Sequence, residues 1–405
     1  MKPIVRAGRM KPVHSDIRGP LFVEAMKHQK QGIDILKLNT GNPATFGFGL
    51  PDSIKNALME HMQDGVGYCD FKGMPQARQA ICDYETSKGI KGITPDDVFI
   101  GNGVSEVVSF ALTPLLNDGD EVLVPSPSYS LWGNSVYLED GKPVFYTCDE
   151  QANWYPDIQD IRSKITDKTK AIVIINPNNP TGVLYPKEIL LEIIQVAREF
   201  GLLIFADEIY DRLVMDGKQH ISLASLTEDV PVITLNGLSK SHCLCGYRCG
   251  WMVISGPREL TEDYRQGIIQ LTSLRLCANT MAQIVIPAAL DDMDTPASMV
   301  RPGGRIYEQR EATVRELEKI DGLSFVKNDA AFYVFPKLDV KKFNITNDKQ
   351  FAHDLLDATN ILLVPGSGFD WKNPDHFRIV MLPQADVLSD AIRRMGTFLD
   401  GYTQK

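Results

Sequence analysis

An α/β fold with a mostly parallel central sheet and a smaller α+β domain beside it is predicted by three features of the chain. Between about residues 97 and 254, short apolar runs alternate with amphipathic stretches: Val98 to Ile100, Glu121 to Val124, Pro143 to Thr147, Ala171 to Ile175, Leu202 to Ala206, Val232 to Leu235 and Trp251 to Ile254. Strands that alternate with helices imply parallel crossovers. The runs Ala171 to Ile175 and Leu202 to Ala206 are apolar at successive positions, as expected when helices cover both faces of the sheet. After about residue 295 the rhythm changes to a helical pattern from Arg305 to Lys319. Strand-like Ala331 to Phe335, Leu362 to Val364 and Phe377 to Met381 follow, then a helix from Asp386 to Leu399. The expected division is a large domain over residues 46–294 and a smaller one over residues 1–45 and 295–405.

With 405 residues, 43% hydrophobic and 23% charged, the chain has the composition of a soluble globular protein with two or three domains. A net charge of -10, with no basic block, argues against a nucleic-acid surface and leaves small metabolites as the expected partners. The opening Met1 to Arg6 lacks the apolar core of a signal peptide, and no apolar stretch is long enough to span a bilayer. A cytoplasmic setting without membrane contact is therefore expected. Seven scattered cysteines do not form a secreted disulfide framework. Cys243, Cys245 and Cys249 cluster, but without a C-x-x-C pair and with only His242 beside them they read as packing residues, and no metal is expected.

The residues that carry chemistry follow the apolar runs, where ligands bind in sheets of this kind. Gly101-Asn102-Gly103-Val104-Ser105-Glu106 joins a strand to a helix, whose free amides and dipole suit a phosphate. Glu106 stands where a dinucleotide loop needs its third glycine, so that rival is weak; Ser105 is otherwise a helix cap. Asn176-Pro177-Asn178-Asn179-Pro180-Thr181-Gly182 is a fixed loop, either a plain turn or a set of amides that hold a ligand oxygen. Asp207-Glu208-Ile209-Tyr210 places a carboxylate at a strand's end and a phenol three positions on, and one turn of helix would aim both inward. Asp207 is then a helix cap or the partner of a cationic ring nitrogen.

Lys240 ends the run Gly237-Leu238-Ser239-Lys240 after the apolar Val232 to Leu235. Partial desolvation or nearby positive charge would shift it toward the free, nucleophilic amine. Ser239 and Arg248 beside it suit a phosphate dianion. Arg378, inside the apolar Phe377-Arg378-Ile379-Val380, grips a substrate carboxylate or makes a structural salt bridge.

Together these motifs resemble the class I/II aminotransferases, pyridoxal-phosphate (PLP) enzymes of fold type I, over essentially the whole chain. The resemblance implies that Lys240 carries the cofactor and moves the proton, that Asp207 holds the pyridine nitrogen, and that Tyr210 and Asn179 serve the ring hydroxyl. It further implies that Val104, Ser105, Ser239 and Arg248 hold the phosphate and that Tyr129 stacks on the ring. Arg378 would clamp the α-carboxylate, with Asn179 near the substrate and the backbone of Gly41 approaching it. Tyr68 would reach the neighbouring subunit's phosphate, which implies a homodimer with shared active sites. Asp16-Ile17-Arg18-Gly19-Pro20, Gly67-Tyr68-Cys69-Asp70, Arg275 to Asn279 and Pro302 to Arg305 extend the likeness to bacterial glutamate-pyruvate (alanine) aminotransferases. Ser15, Cys243 and Cys249 depart from the family's usual residues. The implied reaction is ping-pong amino transfer between alanine/pyruvate and glutamate/2-oxoglutarate. Arg18 is the candidate for the distal carboxylate, with an interface salt bridge as its alternative. The rival readings are an aminotransferase for aromatic or branched amino acids, a decarboxylase or C-S lyase, and a PLP-binding regulator without catalysis.

Overall fold

Residues 2–405 are described by the computed structural model. Each apolar run between residues 97 and 254 forms a strand: β1 Val98–Asn102, β2 Glu121–Ser126, β3 Lys142–Asp149, β5 Thr169–Ile175, β6 Leu203–Asp207, β7 Val232–Gly237 and β8 Cys249–Ser255, with the two-residue β4 Tyr155–Pro156 added. They form one eight-stranded sheet in the order β1-β8-β7-β6-β5-β2-β3-β4. The contacts β7-β6, β6-β5, β5-β2 and β2-β3 are parallel. β8 runs antiparallel to both of its neighbours, and β4 antiparallel to β3. Direction was not part of the sequence pattern, but chain length explains it. Only residues 238–248 join β7 to β8, and a parallel return needs a crossover of a dozen or more residues.

Both faces of the sheet are buried. Leu123, Ile172, Ile174, Ile204 and Val232 pack into one core, and Val122, Val124, Val173, Phe205 and Ile233 into the other. The continuous apolar runs thus divide by period two between two helical layers, each buried aliphatic chain contributing about 1.5–3 kcal/mol.

A separate core forms around Leu317, Phe351, Leu355, Phe377, Ile379, Leu388 and Ile392. The expected helices appear as Arg305–Leu317 and Ala385–Asp400. Strands shorten to Tyr333–Val334, Val364–Pro365 and Phe377–Val380, the last lying between the other two. This register sets Tyr333 opposite Val380 and Val364 opposite Arg378. Leu36–Lys37 pairs with Ile361–Leu362, so the amino-terminal segment joins this core, and Leu38 is buried within it.

Among the described residues no single helix is long and apolar enough to cross a membrane.

Candidate active site

The parallel register brings the site together. Asp207 lies level with Ile175 and Leu235, so the segments after β5, β6 and β7 leave the sheet at one edge. Asn102 at the end of β1 pairs with Cys249 at the start of β8. Helix α1, Val104–Leu112, therefore begins beside Arg248. A cavity of about 470 Å³ opens at this edge, and all the sequence-predicted site residues except Tyr68 line it: Arg18, Gly41, Val104, Ser105, Tyr129, Asn179, Asp207, Tyr210, Ser239, Lys240, Arg248 and Arg378. Tyr68 is 82% exposed on this chain and lies away from the cavity.

Asp207 is buried, and it caps no helix. The turn of helix expected after it does not form; the chain passes through turns, with Asp211 N–H donating to Glu208 O and Leu213 N–H to Tyr210 O. Trp132 Nε1 on helix α2, Leu131–Leu138, donates to Asp207 Oδ2 at 3.0 Å, and Ile209 N–H to Oδ1 at 3.4 Å. Among the described residues no cation pairs with this carboxylate. Burial raises its pKa from 3.8 to about 6, against the opposing bonds from Trp132 and Ile209.

Glu208 and Asp211, which flank it, belong to another arrangement. Lys88 Nζ lies 2.8 Å from Glu208, 3.2 Å from Asp211 and 2.7 Å from Glu85, and anchors the turn from behind.

Lys240 lies in a single helical turn, Leu238–Ser241, and Nζ donates to Gly41 O at 2.8 Å. Gly41 is confined by its surroundings: a Cβ there would collide with the Tyr333 hydroxyl and the Phe332 ring. The amine was expected to move toward the free form, and it moves the other way. Burial lowers its pKa, but the acidic groups of Tyr333, Cys245 and Tyr129 outweigh burial and the repulsion of Arg378.

Arg378 is 1% exposed and, among the described residues, has no carboxylate partner, which removes the structural salt bridge. Nη1 donates to Asn179 Oδ1 at 2.9 Å and Nη2 to the carbonyl of Asn39, while Nε is buried without a partner. Its guanidinium lies between the rings of Tyr333 and Phe369, at 4.5 and 4.6 Å. A buried cation held by neutral groups keeps a strong demand for an anion.

The Asn176 to Gly182 loop divides its labour. Asn176 Oδ1 accepts from Tyr185 N–H at 2.9 Å and Asn178 Oδ1 from the Thr181 hydroxyl at 2.9 Å, both fixing the turn, whereas Asn179 reaches Arg378.

At the other end of the cavity, Gly103 precedes α1 with φ +83°, and a Cβ there would strike the Arg248 guanidinium. Arg248 donates to Cys245 O at 3.1 Å and Asn102 O at 3.4 Å, with no carboxylate partner among the described residues. Glu106, in the first turn of α1, is matched by Arg275.

Arg18 lines the mouth without an ion pair among the described residues. Sequence reasoning missed Tyr333, whose hydroxyl lies 2.8 Å from that of Tyr210, and also Trp132 and Asn134. Cys245 lines the cavity with Sγ 4.0 Å from Lys240 Nζ, while Cys243 packs on Met299 and Cys249 is buried in β8. The three cysteines do not converge.

The model of a family described as aminotransferase class I and II matches residues 33–394. The glutamate-pyruvate aminotransferase AlaA of Haemophilus influenzae is 49% identical over 404 residues, covering 100% of each chain. Among solved structures, an aminotransferase from Escherichia coli superposes with a TM-score of 0.98 at 46% identity over 100% of both chains. An alanine aminotransferase from Pyrococcus furiosus gives 0.93 at 40% identity, covering 98% of this chain and 100% of its own.

Proposed function

The chain belongs to the class I and II aminotransferases, and from that premise we propose that it moves an amino group between L-alanine/pyruvate and L-glutamate/2-oxoglutarate with PLP held in the cavity, in ping-pong order. The observation that carries this reading is Arg378: a buried guanidinium without a carboxylate partner, facing the same cavity as Lys240 and Asp207. Such a group fits the α-carboxylate common to all four substrates. The alanine and glutamate assignment is supported by whole-length likeness to aminotransferases that bear those names.

The residues present fit the cofactor. Asp207 is a buried carboxylate without a cation, as a protonated pyridine nitrogen requires. The start of α1, Ser105, Ser239 and Arg248 offer donors and positive charge for a phosphate, with Val104 beside them. Tyr210 and Asn179 would face the ring hydroxyl and Tyr129 the ring. When bound, PLP supplies an electron sink for negative charge on the substrate's Cα.

Each protein group then has one task. Asp207 holds the proton on the ring nitrogen. Arg378 fixes the α-carboxylate and so orients the Cα–H bond. Lys240 Nζ would take the proton from Cα and hand it to the cofactor carbon on the far side of the nitrogen. Gly41, with no room for a side chain beside Tyr333 and Phe332, would turn its backbone toward the substrate.

Asp207→Asn is expected to lower turnover by about 10- to 10³-fold, because a paired carboxylate moves a neighbour's pKa by about 1–3 units. The same change is expected to stabilise the cofactor-free protein. A carboxyl raised from 3.8 to about 6 destabilises the fold wherever it must ionise. The penalty is absent below about pH 4, grows as pH rises and is complete above about pH 6, where it reaches about 3 kcal/mol. Urea unfolding of both proteins at pH 4 and pH 8 checks it: the asparagine form should gain only at pH 8.

Arg18 serves the distal carboxylate of glutamate and 2-oxoglutarate and stands aside for alanine and pyruvate. Arg18→Ala should raise KM for the dicarboxylates at least tenfold and leave alanine within about twofold. Equal effects on both would remove this role.

We also propose a homodimer with shared sites, supported by exposed Tyr68 beside exposed Val66 and Met62. Seven free cysteines support a reducing, cytoplasmic setting. The core around Leu317 and Phe377, drawn wholly from residues 1–45 and 295–405, supports a division into residues 46–294 and residues 1–45 with 295–405, although Phe335, Val364 and Phe369 pack into the core of the large sheet. Pyruvate formed from alanine and 2-oxoglutarate tests the function; its absence, with turnover of aromatic or branched donors or release of sulfide, would favour the alternatives.

A further inference from the structure

Residues 14–18 cross the cavity mouth with their side chains divided between two directions. Ser15, Ile17 and Arg18 line the cavity, while His14 and Asp16 bind elsewhere. The His14 backbone is clamped by one amide: its N–H donates to Asn134 Oδ1 at 3.1 Å, and its carbonyl accepts from Asn134 Nδ2 at 2.5 Å. Asn134, on α2, therefore lines the cavity with its amide already committed to the segment.

The His14 ring reaches the Gly366 to Asp370 segment, which packs beside α2: a Cβ on Gly133 would lie 3.6 Å from Asp370 Oδ2. Nε2 lies 3.1 Å from Asp370 Oδ1 and Nδ1 3.5 Å from Asp16 Oδ2, and Asp16 is also 3.2 Å from Lys349 Nζ. Hydrogen bonds to Asp16 and then Asp370 raise the ring's pKa to about 9, so the imidazolium stays charged between two carboxylates at neutral pH. Asp370 follows Phe369, the ring stacked on Arg378. Downstream, Asn39 Nδ2 donates to Ile17 O at 2.7 Å while the Asn39 carbonyl accepts from Arg378. Both ends of the strap are thus tied to the walls that hold the α-carboxylate site.

We propose that His14 is a positioning residue: it staples residues 14–18 across the mouth, between α2 and the Gly366 to Asp370 segment, and so presents Arg18 to the distal carboxylate of a dicarboxylic substrate. The inference rests on the assignment of Arg18 made above. His14 touches no reacting atom, so its loss should change where Arg18 sits without changing the chemistry at Lys240.

The test compares PLP-loaded wild type with His14→Ala and His14→Lys. Trypsin cleavage of the Arg18–Gly19 bond should quicken about tenfold in His14→Ala. KM for glutamate and 2-oxoglutarate should rise about tenfold, with kcat and the alanine KM within about twofold, as expected for loss of charge-assisted bonds. His14→Lys, which keeps a cation between the carboxylates but adds a trypsin site before Ser15, should recover part of the KM change and, with products mapped by mass, part of the protection of the Arg18–Gly19 bond. Unchanged cleavage, or equal rises in KM for alanine and glutamate, would overturn the proposal. Failure of the assignment beneath it is read separately: Arg18→Ala would leave dicarboxylate KM unchanged, whatever His14→Ala does.

Discussion

Lys240→Ala is expected to lower turnover by at least about 10⁴-fold while the protein still binds PLP. Two functions leave with the one amine: covalent attachment and the proton transfer at Cα, the latter alone worth about 10²–10⁴-fold. The other contacts proposed for the cofactor belong to other segments that line the same cavity, namely Asp207 at the end of β6, the start of α1, and Arg248 before β8. Binding should therefore weaken without disappearing. No other amine lines this cavity among the described residues. Cofactor titration by absorbance, followed by single-turnover assay with alanine, separates the two functions. Activity within tenfold of wild type would place the proton transfer elsewhere.

Arg378→Ala comes second, with an expected fall in kcat/KM of about 10²–10⁴-fold, from two charge-assisted hydrogen bonds of about 1.5–3 kcal/mol each. The loss should be similar for alanine and glutamate, because both present the same α-carboxylate. Arg378→Lys should recover only part of it, as an ammonium lacks the planar fork that meets two carboxylate oxygens and stacks between Tyr333 and Phe369. Stability should respond in the opposite sense to an ordinary buried ion pair. Removing one partner of such a pair costs about 3–5 kcal/mol, but here no carboxylate is left behind. Arg378→Met should thus leave the melting temperature of the substrate-free protein unchanged or raised. A marked fall would mean that the guanidinium serves the fold before it serves the substrate.

The strands of the central sheet were legible because burial on both faces leaves each one continuously apolar, as in Ala171 to Ile175. The direction of β8 was not, since composition does not encode it. The helix expected after Asp207 fails because the segment's polar groups have better partners: Asp207 takes the Trp132 indole, and Glu208 and Asp211 take Lys88. The family motifs marked the site residues that follow strands, and these meet at one sheet edge. Tyr333 escaped notice because Ala331-Phe332-Tyr333 reads as core, and only folding brings its hydroxyl to Tyr210 across 123 positions. Asn134 and Trp132 sit within a helix of otherwise ordinary composition, where no local pattern singles them out. Arg378 shows the reverse: a charge in an apolar strand was visible at once, and only the structure could reveal that it has no ionic partner.

The central claim, one cavity that serves both a methyl and a carboxyethyl side chain, is tested most directly by half-reactions. PLP-loaded enzyme is mixed with one amino acid at a time, and the change in cofactor absorbance is followed without any acceptor. Alanine and glutamate should each drive the change to completion, with pyruvate and 2-oxoglutarate released in amounts equal to the enzyme. No response to either would contradict the account.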